Sequence, residues 1–519
     1  MARKRYYSKI VLSEEIRETP PAFGWLGRKR QTLLRDLLRA LDALAKHPRV
    51  DTVLLVIRTL SAGWGQVEEI RGAMQRVRKA GKHCIVCLES ADNRSIYLAS
   101  AADAVYLLPA STFELIGLRV ENFFLKDLLD ELGIRAELLH VGAYKSAGEM
   151  FTRTEMSEAS REMVQAILAD LQDRLVEAVA EGCGLSETKV RELLDGGPLT
   201  AQQAVEQGLA KGLAYESELD ERLRGKPNGL AAISVKRLIR KEGFLRRRLH
   251  PRRPEIAYLV AEGMIVHGPS RRSPGRWSIL DSRNLVELIQ AVRRRRRVKA
   301  VVVRVRSPGG SGLASDLIWH ELQRLNQDKP VIISFSDVAA SGGYYLATAG
   351  RYIFANPSTL TGSIGVLGGK FSAGPLIERL KVKVDTVELG AQAGYASVTR
   401  PFTSSEADNL QQHLEDFYER LFLPKVAECR RTEVDRIREV AEGRVWTGAQ
   451  AREVGLIDAL GGMDEAFEEA RRQANLTPGR FRIVTPAPRR SLLDLVRLVL
   501  PIGMARERLL ALWQDFEIR

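Results

Sequence analysis

Set against itself at an offset of 248 positions, the chain matches its own second half in one segment after another. RVDTVLLVIR, from Arg49 to Arg58, falls on RVKAVVVRVR, from Arg297 to Arg306. SIYLASAADAVYLLP falls on GYYLATAGRYIFANP, so that Pro109 meets Pro357; Gly142 meets Gly390, and Ser157-Glu158-Ala159 meets Ser405-Glu406-Ala407. With the offset shortened by one, PLTAQQAVEQGLAKGL falls on VWTGAQAREVGLIDAL. Matches in this order restrict the chain to one domain built twice. Of the 519 residues, 1–225 form the N-terminal repeat, 226–252 a basic linker, 253–475 the C-terminal repeat and 476–519 an amphipathic tail.

Each repeat alternates short β-branched runs with amphipathic helices. In the second, EIAYLVAEGMI, KAVVVRVR, PVIISFSD and RYIFAN read as strands, with LASDLIWHELQRLN and GGYYLATAG as the helices between them. The runs are apolar throughout instead of alternating, which suits parallel strands covered on both faces. The expected class is therefore α/β, in two tandem copies with parallel sheets. A longer helix, SEADNLQQHLEDFYERLFLPKVAECR, is expected to follow, its apolar face formed by Leu410, Leu414, Phe417, Leu421 and Leu423.

Composition removes several function classes. Four cysteines cannot staple a fold of this length. Cys84 and Cys87 form a C-x-x-C inside a buried-strand pattern, with no second pair to complete a zinc site, and read as core thiols. The seven histidines show no ligand spacing, so neither a metal nor a cofactor is expected. The basic N-terminus lacks an apolar core and is not a secretory signal, and no run of 18 apolar residues reads as a transmembrane helix. The expected location is cytoplasmic or peripheral to a membrane. The net charge of +14 favours anionic surfaces. Aromatics do not interleave with the basic residues, and the run Arg293 to Arg297 ends a helix just before a strand, so nucleic acid is not expected as a partner. The segment SLLDLVRLVLPIGMARERLLALW could lie on an anionic membrane through its leucine face; packing against its own domain or a neighbouring subunit is the favoured reading.

A duplicated domain keeps its core, so chemistry shows where the copies differ. The loop after the second strand of repeat two is SPGGSG, Ser307 to Gly312, whereas repeat one has TLSAGWG. Adjacent glycines let backbone approach a ligand and aim N–H groups at developing negative charge. Ser341, in AASGGYYLA, opens a helix where repeat one has Asn93. Its plain reading is an N-cap; its functional reading is an exposed hydroxyl at the positive end of a helix. Lys145, in HVGAYKSAGEMF, stands where repeat two has Ala393. A lone lysine is ordinarily a solvated charge, but this one has small neighbours. A serine kept only in one copy and a lysine only in the other is what complementary loss from a duplicated site would leave.

On VVVRVRSPGGSG, DVAASGGYYLATAG, LTGSIGV and VGAYKSAGEMF, the chain resembles the signal peptide peptidase A family of serine proteases in its long, duplicated bacterial form. The resemblance covers most of residues 5–475. It implies a fold similar to the Clp protease and crotonase folds, and a Ser–Lys dyad of Ser341 and Lys145, with Ser363 of TGSIGV bonding the lysine. It also implies a closed ring of subunits, such as a homotetramer, acting on peptides such as cleaved signal peptides. The chain departs from the family at Arg306, where Asp or Asn is usual, and at Ser336, where glycine is common.

With no histidine to serve, a neutral lysine amine must be the base, which requires burial to lower its pKa by several units. Ser341 then attacks a peptide carbonyl to form an acyl-enzyme, and the N–H groups of Gly310 and Gly342 form the oxyanion hole, with Gly309 supplying the turn. The rivals are a crotonase-like acyl-CoA enzyme, which would need a carboxylate near the glycine loops, and a non-enzymatic membrane-surface scaffold suggested by the charge.

Overall fold

The computed structural model describes residues 5–19, 32–225, 229–235, 253–268 and 279–486. In repeat one the strands β1 (Tyr6–Leu12), β2 (Val50–Ile57), β3 (His83–Leu88) and β4 (Ala104–Leu107) lie side by side in sequence order, all parallel. Short strands Ala231–Ala232 and Gly212–Leu213 extend the two edges. Repeat one also contributes β5 (Arg135–Val141), outside this sheet. In repeat two β6 (Glu255–Glu262), β7 (Val298–Ser307) and β8 (Val331–Ala340) repeat the arrangement. Here β9 (Tyr352–Ala355) pairs with the first half of β8 and β10 (Leu360–Gly362) with its end. Arg482–Val484 adds an edge beside β6. Residues 231–232 and 482–484, assigned to linker and tail by the repeat boundaries, thus close the outer edges of the sheets. The basic stretch 236–252 and the tail from 487 onward lie outside the described residues.

The strand pattern follows from burial on both faces. In β7, Val298, Ala300, Val301, Val302, Val303 and Val305 are all buried. The two faces serve different partners, because side chains alternate along a strand. Ala257, Leu259, Val301, Val303 and Ile333 belong to repeat two's own core. Ile256, Tyr258, Ala300, Val302 and Ile332 instead join one apolar cluster with Leu34, Leu38 and Val67 of repeat one. Cys84 and Cys87 both sit in β3 but in different clusters, on opposite faces of the sheet. Burial pushes the Cys84 thiol up to about 12 and that of Cys87 to about 11, as for inert core thiols.

Repeat one approaches repeat two through α1 (Trp64–Lys79), whose N-terminus sits on the end of β8. Its N-cap is Gly63, which has no side chain to accept the first-turn N–H groups. Asp337 of repeat two takes that role: its Oδ1 accepts the Gln66 N–H at 2.9 Å. The matching helix of repeat two, α2 (Gly312–Asp328), is capped by its own Ser311. A Cβ on Gly65 would lie 2.8 Å from the Ser336 carbonyl oxygen, so the close approach needs glycine. Beneath this contact Arg304, fully buried, donates to Glu18 from Nε at 3.1 Å and from Nη2 at 2.9 Å, and also to Glu69. Its Nη1 donates to Ser334 Oγ at 2.8 Å and to the Phe335 carbonyl at 3.0 Å. The two sequence departures belong to the same seam. Ser336 Oγ donates to Glu18 at 2.6 Å, and Arg306 bridges Asp337 at 3.0 Å and Glu262 at 3.1 Å.

The long helix expected after repeat two's strands runs without a gap from Ser404 to Arg430 but carries a π-type turn within it. It forms α4 (Ser404–Phe417), here separated from α3 (Gly342–Ala347) by several strands, then a wide π-type turn at Tyr418–Phe422, then Leu423–Arg430. Pro424, which has no N–H to donate, starts the last segment. The turn leaves Leu421 exposed, although the helical spacing had placed it on the apolar face.

Because Arg304 and its carboxylate partners have no access to water, removing the arginine strands buried charge. Arg304→Ala is expected to cost about 3–5 kcal/mol in urea unfolding. A loss below about 1 kcal/mol would mean that the seam opens to solvent instead of holding the repeats together.

Candidate active site

Two strand pairings converge on one residue. The parallel pairing of β8 with β10 sets Ala340 opposite Gly362, so the residues that follow, Ser341 and Ser363, leave the sheet side by side; the Ser341 N–H donates to the Gly362 carbonyl at 2.9 Å. The second pairing joins the repeats. β5 of repeat one runs antiparallel to β11 (Val366–Ser372) of repeat two, with Val141 opposite Val366. Lys145 follows the end of β5 by four residues, and Ser363 precedes the start of β11 by three. The ladder therefore delivers the lysine loop to the serine turn.

The result is compact. Lys145 Nζ lies 3.0 Å from Ser341 Oγ, 3.0 Å from Ser363 Oγ and 2.9 Å from the Ser363 carbonyl oxygen. Lys145 is only 6% exposed, and burial alone brings its pKa down from 10.5 to about 7. A neutral amine has two N–H donors and one lone pair. The Ser363 carbonyl can only accept, so one N–H goes there and the other to Ser363 Oγ. The lone pair is then left for the Ser341 hydroxyl proton.

Ser341 is not an N-cap of the ordinary kind. It opens α3 with φ 53° and ψ −120°, and its side chain bonds no helix N–H. A non-glycine residue in that region is strained, and such strain collects where a side chain must be presented at a sharp strand-to-helix turn. Ser363 also has positive φ, at 51°. The glycine loop rests directly on this turn. A Cβ on Gly309 would lie 2.8 Å from Ser341 Cβ and 2.9 Å from the Gly342 nitrogen, and φ is 105° at Gly309 and 144° at Gly310. The loop is fixed from below: Gly309 N–H donates to Ser307 Oγ at 3.1 Å, the Ile265 N–H to the Gly309 carbonyl and the Ser311 N–H to the Ile265 carbonyl, each at 2.9 Å. Gly310 N would sit 3.4 Å from a Cβ placed on Gly342, so the two residues named for an oxyanion hole are neighbours.

All six residues singled out in the sequence, Lys145, Gly309, Gly310, Ser341, Gly342 and Ser363, thus meet in one place. Sequence reasoning missed the loop Ala441–Arg444, which wraps the lysine turn. Its signal was present: Glu442-Gly443 aligns with Asp195-Gly196 at the shorter offset, an acidic-glycine pair kept in both copies. Repeat one's counterpart of the serine turn is closed. Asn93 bonds the Ile116 backbone through both amide atoms, and Arg94 donates to the Ala62 carbonyl at 2.7 Å.

The model of peptidase family S49 matches residues 76–227 and 323–477, once in each repeat. The chain is 36% identical over 83% of its length to the chloroplastic serine protease SPPA of Arabidopsis thaliana, spanning 64% of that protein. It is 30% identical over 86% of its length to protease 4 of Salmonella typhi, spanning 73% of it. Among solved structures, a ClpP1 mutant from Listeria monocytogenes aligns with 43% of this chain and 98% of its own, at 12% identity and a TM-score of 0.26. With both repeats matched by the family model and relatives aligned over most of its length, the chain belongs to peptidase family S49.

Proposed function

We propose that the chain is a serine endopeptidase that works through a Ser341–Lys145 dyad divided between its repeats. The observation that carries the reading is the buried Lys145 amine, 3.0 Å from the Ser341 hydroxyl with no competing carboxylate bonded to it. The neutral amine takes the Ser341 proton as Oγ attacks the peptide carbonyl. The ammonium is held meanwhile by the two Ser363 oxygens. The oxyanion is received by the N–H groups of Gly310 and Gly342. Nζ returns the proton to the leaving amine as the C–N bond breaks, and a water activated by the same amine releases the acyl group. An extended peptide is the fitting substrate, added as a strand beside the site, and cleaved signal peptides are one source of such peptides.

A ring of identical subunits, such as a homotetramer, accompanies this reading. Its support is an unusual amount of uncovered apolar chain: Phe123 is 75% exposed, Val387 94% and Leu389 95%, in segments without regular structure. Among the described residues no helix is long and apolar enough to cross a membrane. Contact with an anionic membrane surface is supported by the basic, leucine-rich sequence of the C-terminal segment, which lies outside the described residues.

Ser341→Ala and Lys145→Ala should each lower peptide hydrolysis by about a thousandfold or more, and the double variant no further, because the pair acts as one unit. Lys145→Arg should be equally inactive, since a guanidinium stays protonated. An active Lys145→Arg enzyme would refute the dyad. The wild-type rate should rise with pH, the amine being competent only when neutral, with a midpoint at about 7. A rate that falls through that range would exclude lysine as the base. Light scattering at micromolar concentration should give a multiple of the 57.9 kDa chain, and a monomer would overturn the ring.

A further inference from the structure

The loop Ala441–Arg444 lies between the Ser363 turn and the lysine turn and bonds to both. On one side the Ser363 N–H donates to the Arg444 carbonyl at 2.7 Å, and the Gly443 N–H donates to the Ile364 carbonyl at 2.8 Å. On the other side the Tyr144 N–H donates to the Glu442 carbonyl at 2.7 Å, and the Ala143 N–H to Glu442 Oε2 at 3.1 Å. Contact is close enough to forbid side chains: a Cβ on Gly443 would lie 2.5 Å from Lys145 N and 2.7 Å from its Cβ, and one on Gly142 would lie 2.5 Å from the Glu442 carbonyl carbon. Glu442 itself holds φ 51°, a left-handed conformation that an ordinary residue keeps only when its surroundings impose it. Its other carboxylate oxygen accepts from Tyr418 OH at 3.4 Å.

We propose that Glu442 is a positioning residue for the lysine base, its carboxylate and carbonyl together fixing the backbone of Ala143 and Tyr144 so that Nζ reaches Ser341 and Ser363. This inference rests on the dyad reading. The geometry favours a dedicated role over general packing, because one residue uses both its backbone and its side chain on two consecutive N–H groups of the lysine turn. The same turn is pinned from its outer side: Arg444 stacks 4.8 Å over the Tyr144 ring and pairs with Glu162 at 2.7 Å, and Glu162 accepts from Tyr144 OH at 3.1 Å. The titratable and charged groups at this contact are Glu442 and Arg444 on the loop, and facing them Glu162, Lys145 and His140, whose Nδ1 lies 3.1 Å from the Gly142 carbonyl oxygen. Tyr144 and Tyr418 are the neighbouring phenols, and the paired Arg438 and Glu419 lie beyond Tyr418.

Glu442→Asp keeps the charge and tolerates the left-handed backbone, but is one methylene too short to reach Ala143. With a peptide substrate its kcat should fall about 10–100-fold while KM stays near the parent value. Its pH–rate midpoint should move upward, as a loosened turn lets water reach Nζ. Glu442→Gln keeps an acceptor at the same reach and should recover kcat to within about threefold of the parent, with the parent midpoint. A Glu442→Asp enzyme with parent kcat and midpoint, beside inactive Ser341→Ala and Lys145→Ala, would overturn the positioning role alone. A Glu442→Gln enzyme as impaired as Glu442→Asp would also overturn it, by assigning the effect to charge. Activity in Ser341→Ala or Lys145→Ala would remove the dyad and this proposal together.

Discussion

A lysine amine can act as a base near neutrality only while water is kept from its ammonium form, and that exclusion carries a cost in stability. Lys145 titrates at about 7 instead of 10.5 because it is buried. Its folded-state pKa is lowered, so the charged form is disfavoured by folding. The cost is therefore full below pH about 7 and fades as pH climbs toward the ordinary value. The rest of the molecule must supply the compensating energy and the dry site. Both come from the junction of the repeats, where β5 pairs with β11 and the loop at 441–444 closes over the lysine turn.

That junction is polar as well as apolar. Repeat one's core continues onto the rear face of repeat two's sheet, and Arg304, Glu18 and Glu69 sit within the contact. The arginine holds the Glu18 carboxyl below its ordinary range, while desolvation raises that of Glu69. Buried ion pairs of this kind add little net stability over an apolar contact, but they penalise any other docking, since a shifted register would strand a charge. The Asp337 cap on α1 works the same way: a helix start in one repeat is completed only by a carboxylate from the other. The seam thus specifies the relative placement of the copies, which a site split across them requires.

Much of this was legible in the sequence because duplication supplies an internal reference. β-branched runs such as VVVRVR can be buried on both faces only in a covered sheet, and the copies' shared pattern located strands within a few residues. Lys145, Ser341 and the glycine pairs stood out because their counterparts lacked them. What stayed hidden was set by tertiary contact. Nothing in the sequence named a partner for Arg304 or Arg306; the carboxylates of Glu18, Glu69, Asp337 and Glu262 that give them a buried or half-buried place come from distant positions. Glu442-Gly443 was kept in kind by both copies, so a comparison tuned to differences passed over it. The π-type turn at Tyr418–Phe422 was hidden because leucine spacing continues across it in sequence, while the wider turn shifts which residues face the core.

The division of the site between the two copies also bears on how the protein comes into being. A ribosome releases repeat one first, with Lys145 but no nucleophile in reach. Ser341 and Ser363 emerge more than a hundred residues after repeat one is complete, and the Glu442–Arg444 loop that holds the lysine turn follows later still. A fragment ending before that loop carries Lys145, Ser341 and Ser363 but lacks the residues whose hydrogen bonds pin the lysine turn. On the proposed mechanism, the order of synthesis is itself a safeguard: the groups that would cut a peptide are brought together only after both repeats have been made and have folded against each other.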